Sequence, residues 1–473
     1  MTGNAGRTGL VCAALMAAAL LVGCSMAPKY ERPDSPVEAE FPQGEAYRRD
    51  VSGAPRVEDL TWRQFFGDRK LTRVISLALE NNRDLRMAVL NVEQARAIYG
   101  IQRSEMLPSV DANAGGSRQR VPADLSSSGK SQIAQSYSVN LGLLAWEVDF
   151  FGRLASLKDE ALEEYLASEE GRRAVQISLV SGVANAWLTL AADRENLKLA
   201  RSTLQAQQAT YDMIRQRYEV GLASELDLRQ VQTQVDTARV NEALYMRLAA
   251  QDKNALDLLA GATVDEGLLP ADLSAVKPPR EIAAGLSSEV LFNRPDILRA
   301  EHQLKAANAY IGVARAAFFP RISLTATVGL ASAELSDLFK HGHGTWNFGP
   351  QASLPVLDPR TWYALKASEA QQKIAVTQYE KTIQTAFREV ADALATRGTV
   401  DAQLEAQESL VKASDRTYTL SELRYNMGVD SYLGVLDAQR SLYAAQQGLV
   451  AVRLTKLLGQ TQLYSALGGG CDL

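Results

Sequence analysis

Few residues in this chain have the types and spacing that chemistry needs. The three histidines, His302, His341 and His343, are too few and too scattered for a histidine-based catalytic centre. His341 and His343 sit in a glycine-rich stretch without further ligands nearby, a poor metal site. No HExxH, GxSxG or phosphate-binding loop is present; Gly129-Lys130 lacks the earlier glycine at the required spacing. The expectation is a protein that is not an enzyme and holds no metal. Two glycines, Gly221 and Gly428, are flanked by groups able to hydrogen-bond and form ion pairs: Tyr218, Asp227 and Arg229 near the first, Tyr425, Asp430, Asp437 and Arg440 near the second. Glycine there permits the left-handed conformation that ends a helix. Ser224 with Asp227 has the spacing of a capping box, so Asp227 has a structural task available. Asp437 lies too far past its glycine to cap the helix that follows.

The remaining reactive group is a thiol. Cys24 closes the string Leu21-Val22-Gly23-Cys24, after an apolar run from Leu10 to Val22 preceded by one charge, Arg7. About 13 apolar residues make the core of a signal peptide and are too short to span a bilayer. The string resembles the lipobox of bacterial lipoproteins: residues 1–23 are removed and the freed thiol of Cys24 takes a diacylglycerol. The alternative is an ordinary signal peptide with a chance cysteine. Ser25 rather than Asp follows the cysteine, as in lipoproteins sorted to the outer membrane. Residues 24–60 then read as a lipidated tether, rich in proline and charge from Ala27 to about Pro55. Apart from that covalent lipid no cofactor is expected. Cys12 and Cys471 complete the set of three cysteines, which excludes a disulfide framework. A net charge of −5 gives no footing for nucleic acid.

The elements that position these groups come in duplicate. Asp84–Pro108 matches Asp296–Pro320 at an offset of 212, with Ala88 on Ala300, Gly100 on Gly312 and Arg103 on Arg315. Further on the offset is 207: Arg217-Tyr218-Glu219-Val220-Gly221 meets Arg424-Tyr425-Asn426-Met427-Gly428, and Gly261 meets Gly468. The chain therefore reads as two structural repeats, 61–270 and 271–473. Each repeat is expected to run helix, strand, strand, very long helix, turn, helix. The first helices are expected over Leu71–Met106 and Ser287–Phe319, both stopping before a proline. Strands are expected at about 109–119, 136–147, 321–332 and 345–356. Ile322, Leu324, Ala326, Val328 and Leu330 alternate with polar or small residues, as do Tyr137, Val139, Leu141 and Leu143. A period of two with one apolar face places a strand between an apolar and a wet environment. For any one segment, a half-buried strand in a soluble sheet is the plainer reading.

The long helices, 153–218 and 360–425, turn at the tips near 221 and 428. Neither contains proline. Each would run ~98 Å at ~1.5 Å per residue, against a radius of gyration of ~22 Å for a compact globule of this size, so an elongated molecule is expected. Val183, Leu190, Leu197, Leu204, Tyr211 and Tyr218 recur every seven residues, as do Val390, Leu404, Val411, Tyr418 and Tyr425 with Arg397 interrupting. Such a row is the seam of a coiled coil, and seam packing is the plain role of Tyr211 and Tyr418. Four strands cannot close a barrel, and open edges are not tolerated in lipid. Strands that span a membrane would therefore need several chains.

Several strings resemble the outer-membrane factor family of tripartite efflux pumps, in particular the OprM-like lipoproteins of the NodT/TolC superfamily. They are Arg294-Pro295-Asp296-Ile297, Ala300-Glu301, Ala306-Ala307-Asn308 and Ala314-Arg315-Ala316-Ala317-Phe318-Phe319-Pro320-Arg321-Ile322. Trp62-Arg63-Gln64-Phe65-Phe66-Gly67-Asp68, Trp146-Glu147-Val148-Asp149-Phe150-Phe151-Gly152-Arg153 and Gly428-Val429-Asp430-Ser431-Tyr432-Leu433 add to them. The plain role of Arg294-Pro295-Asp296 itself is a helix start. One departure is Asp358-Pro359-Arg360, where relatives often have a Gly-Gly-Arg turn one residue longer. The resemblance implies an α+β membrane protein. Its homotrimer would build a 12-stranded β-barrel in outer-membrane lipid, continuous with a helical periplasmic barrel. It implies a passive exit duct for drugs, working with a periplasmic membrane-fusion adaptor and an inner-membrane RND exporter. It also places Tyr218, Asp227, Arg229, Tyr425, Asp430, Asp437 and Arg440 at the periplasmic aperture, as a gate. A duct for metal ions or for type I protein secretion stays open, as does a membrane-tethered periplasmic coiled-coil scaffold.

Overall fold

The structure, a computed structural model, describes residues 25–47, 53–283, 285 and 287–470. Cys12, Cys24 and Cys471, and with them lipidation at Cys24, lie outside the described residues. In chain order come α1 (Arg69–Asn81), α2 (Arg83–Ser104), β1 (Asp111–Val121), β2 (Gln132–Glu147), α3 (Arg153–Glu219) and α4 (Glu225–Ala260). The second repeat gives α5 (Pro295–Ala316), β3 (Arg321–Ser332), β4 (Gly344–Ser353), α6 (Pro359–Asn426) and α7 (Tyr432–Ala466).

The compact units of the fold do not follow the duplication. One unit gathers the residues up to Asp34, Val92–Ser168 and Arg299–Tyr379; it holds the whole sheet. The other gathers Ser35–Asn91, Glu169–Leu298 and the residues from Glu380 onward; it holds both helical hairpin tips. Each unit thus takes one part from each repeat: the two strand hairpins join through β2 and β3 in one, and the two helical hairpins share a buried cluster in the other.

The sheet has the order β1-β2-β3-β4, every pair antiparallel. Its register puts Ala112, Leu141, Val328 and Trp346 in one row across four strands, with Leu143, Ala326 and Phe348 in the next. Leu141, Val328, Trp346 and Phe348 are exposed. The opposite face carries Asn113, Asn140, Gly329 and Thr345. On that face the strands crowd together: a Cβ on Gly142 would stand 2.1 Å from the Ala326 carbonyl oxygen, and one on Gly329 2.2 Å from that of Val139. Only glycine fits where two backbones approach so closely. β1 runs two residues later than expected at both ends, and two further strand limits differ more. β2 begins at Gln132, several residues early, because Gln132 to Gln135 still pair with Val121 to Arg118. β4 ends at Ser353, where its partner is Arg321, the first residue of β3.

Both first helices are interrupted. The helix expected over Leu71–Met106 breaks at Asn82, whose backbone is extended (φ −62, ψ 133). Its side chain accepts from Leu85 N at 2.9 Å to start α2, and donates to the Leu259 carbonyl at 2.9 Å. In the second copy the stretch expected as helix from Ser287 is a 3-10 turn, Ser288–Asn293, with Arg294 extended. Pro295 disfavours helical backbone at the residue before it. Arg294 is buried instead, its guanidinium shared between Asp296 and Glu389 at 2.7 and 2.8 Å. The reading of Arg294-Pro295-Asp296 as a helix start therefore applies from Pro295. At the departure noted above, Asp358 caps α6, accepting from Arg360 N at 3.0 Å.

The seven-residue row also shifts. Val183 and Leu190 are fully buried, but lower on α3 the buried row is Ala200, Gln207 and Ile214, leaving Tyr218 exposed.

Candidate functional site at the paired hairpin tips

The two tips share one backbone design. At the first, Leu222 N donates to Arg217 O (2.7 Å) and Gly221 N to Tyr218 O (3.0 Å). At the second, Val429 N donates to Arg424 O (2.9 Å) and Gly428 N to Tyr425 O (2.9 Å). Gly221 and Gly428 have φ of 75° and 71°. This closes the orphaned carbonyls of a helix end, and glycine takes the left-handed position without a Cβ penalty.

The tips stand on a shared apolar floor. Ile214, Leu228, Val231, Tyr432, Val435 and Leu436 form one buried cluster, with Tyr211, Tyr418 and Tyr425 packed against it. Tyr211 and Tyr418 therefore do the packing expected of a seam. Burial pushes the Tyr432 phenol up to about 12. Its ring meets Tyr425 edge-on, 5.0 Å between centroids.

The side chains above that floor differ. In the second tip Arg424 grips Asp430 with two bonds, of 2.5 and 3.0 Å. Those bonds hold the Asp430 carboxyl below its ordinary range. Arg217 occupies the equivalent place in the first tip, but the position matching Asp430 is Ala223. Lacking that carboxylate, Arg217 crosses to the other hairpin and donates to the Tyr425 hydroxyl at 3.0 Å, its guanidinium carbon 5.8 Å from the ring centre. Caps differ too. Ser224 and Asp227 form a full capping box: Asp227 N donates to Ser224 Oγ and Ser224 N to Asp227 Oδ2, both at 3.1 Å. Ser431 caps α7 without a side-chain bond, and the position matching Asp227 is Gly434, which has no side chain to return one.

Of the seven gate candidates, the structure brings Tyr425 into a contact between hairpins and Asp430 into a closed pair. Asp227 is occupied as a cap. Arg229 pairs along its own helix with Glu225 at 3.3 Å, and Arg440 with Asp437 at 3.2 Å. Tyr218 is exposed at the end of α3. Sequence reasoning missed Arg217, Arg424 and Tyr432. The first two were within reach, since each opens the repeated string that ends in the tip glycine.

The outer membrane efflux protein family matches at residues 74–262 and 286–469. The chain belongs to this family. It is 49% identical over 453 residues to the antibiotic efflux pump outer membrane protein ArpC of Pseudomonas putida, covering 95% of this chain and 93% of that protein. Identity and coverage are the same with the toluene efflux pump outer membrane protein TtgC, also of Pseudomonas putida. Among solved structures, the open state of the Neisseria gonorrhoeae MtrE outer membrane channel superposes with a TM-score of 0.84 at 39% identity, covering 95% of this chain and 99% of that one. As a member of the family the chain is an outer-membrane efflux channel whose helices extend into the periplasm. The relatives give no support to a tethered scaffold.

Proposed function

We propose that three copies of the chain close one 12-stranded barrel in the outer membrane. The observation that carries this is the four-stranded sheet, with an exposed apolar face, a polar opposite face, and edges at β1 and β4 that have no neighbouring strand among the described residues. In hydrocarbon every backbone group needs a partner, so such a sheet is stable there only when closed by further copies. The apolar rows then face lipid and Asn113, Asn140 and Thr345 face the lumen. Cleavage after Gly23 and acylation of Cys24 would add an anchor on the periplasmic side; no other cofactor takes part.

The duct conducts drugs and apolar small molecules passively outward, as the names of the antibiotic and toluene relatives support. A periplasmic membrane-fusion adaptor and an inner-membrane RND exporter complete the pump. Tyr218, Asp227, Arg229, Tyr425, Asp430, Asp437 and Arg440, with Arg217 and Arg424, form the periplasmic aperture. Deleting the gene should lower resistance to several antibiotics and tolerance to toluene together, and the intact chain should restore both. Unchanged susceptibility to the whole panel would remove the cargo assignment. Mass photometry in mild detergent should report three chains, and a stable monomer would remove the barrel.

A further inference from the structure

The segment from Ser25 to Pro36 is held by a run of polar contacts. Pro28, Pro33 and Pro36 favour an extended backbone, and the segment is bound to one face of α5. Arg32 donates to Glu301 through Nη2 at 2.7 Å and Nε at 3.3 Å, and the Tyr30 hydroxyl donates to Glu301 Oε1 at 3.2 Å. Lys305 Nζ, one turn along α5, lies 3.2 Å from the same oxygen and 5.3 Å from the centre of the Tyr30 ring. The Glu301 side chain is only 4% exposed. Burial alone would push its pKa up, but the bonds from Arg32 and Lys305 outweigh burial and the net direction is down. Further along the same face, Asn308 Nδ2 donates to the Pro28 carbonyl at 2.7 Å and Arg315 to that of Met26 at 3.3 Å. Between them, a Cβ on Gly312 would stand 2.8 Å from Ala27 N and 2.4 Å from Ser156 Oγ.

The duplication supplies an internal control. At the offset of 212, Glu301, Lys305, Asn308 and Gly312 correspond to Val89, Glu93, Arg96 and Gly100 on α2. Gly100 has open space where a Cβ would go. The glycine is kept in both copies, while the positions of the carboxylate, cation and amide that bind the segment carry Val89, Glu93 and Arg96 on α2.

We propose that Glu301 is the latch of an N-terminal strap, with Asn308 and Gly312 as its seat, and that the latch fixes the chain terminus beside the end of α5, where β3 begins. Its bearing on lipid rests on the reading that Cys24 is acylated; the docking does not. Unlatched, residues 25–34 alone would give the terminus about 35 Å of reach. Latched, the Met26 carbonyl is held by Arg315 at the end of α5, so an acyl chain attached just before it would enter the bilayer at a set place next to the sheet.

Limited trypsin digestion of the full-length, membrane-extracted protein tests this, read as appearance of a new N-terminus at position 30 after cleavage at Lys29. Arg32→Ala with Tyr30→Phe removes the strap's donors and leaves Glu301 its Lys305 partner, so folding is spared. We expect cleavage at least tenfold faster than in the native chain, with cuts elsewhere unchanged. Glu301→Gln and Gly312→Ala should move the same way, and Gly100→Ala should not. Cleavage at the native rate in both the double variant and Glu301→Gln overturns the latch. Digestion of Cys24→Ser separates the two readings: native-rate cleavage shows that the latch holds without lipid, whereas fast cleavage shows that lipid holds the strap and overturns the proposal. Intact mass of the native chain reports acylation independently.

Discussion

The two hairpin tips have the same backbone and opposite side-chain economies. The second is self-contained: Arg424 and Asp430 satisfy each other within one turn. The first is well capped by Ser224 and Asp227, yet its arginine is satisfied only by reaching Tyr425 on the other hairpin. One substitution between the copies, Ala223 against Asp430, decides which behaviour a tip shows. Duplication thus kept the turn and released the charges, converting two equal hairpins into one that holds itself and one that holds its neighbour. In the proposed aperture, the contact between hairpins is the one to break.

The largest expected effect comes from the floor the tips share. Tyr432→Ala should cost about 3 kcal/mol of local stability, in the range for deleting a buried aromatic. Glu225→Ala, at the matching exposed position, should cost almost nothing. Hydrogen exchange of the amides at both turns checks this, and equal effects would end the asymmetry. Next come the caps. Ser224→Ala should cost about 1 kcal/mol, the worth of an N-cap bond, whereas Ser431, whose side chain makes no such bond, should lose only a few tenths. Protection of the first turns of α4 and α7 reads the difference.

The smallest effect is on pH. Asp430 has a depressed pKa because of Arg424, so its stabilisation is present above the ordinary carboxylate value of about 3.9 and is lost as pH falls through the depressed one. Acid should therefore loosen the amide of Val429 while leaving that of Leu222 unaffected, after correction for intrinsic exchange rates. A matching loss at Leu222 would mean that Asp430 does not distinguish the tips.

Much of this was legible from residue spacing. Gly221 and Gly428 announced the turns, and Ser224 with Asp227 announced the cap, because both signals are local in sequence. The alternation of Ile322 to Leu330 announced β3 for the same reason. The breaks at Asn82 and Arg294 were harder. Asn82 is fixed by Leu259, and a Cβ on Gly261 would stand 2.3 Å from the Asn81 carbonyl oxygen; neither partner is near in sequence. Arg217 and Tyr425 lie 208 residues apart, so nothing in either repeat alone predicts their bond. The seam was placed correctly at Val183 and Leu190 but drifted below them, since the buried row on α3 moves to Ala200, Gln207 and Ile214.

Single-channel conductance in planar bilayers tests most directly whether these tips close the duct. Asp430→Ala with Tyr425→Phe frees Arg424 from its carboxylate and removes the hydroxyl that accepts from Arg217, without touching the turns or the buried Tyr432. The account predicts a conductance several-fold above that of the native channel. Asp437→Ala with Tyr425→Phe should give a smaller rise, since Asp437 is bound only along its own helix to Arg440. Native conductance in the first pair, from protein of unchanged mass in detergent, would contradict the account and return these residues to the solvated ends of two ordinary hairpins.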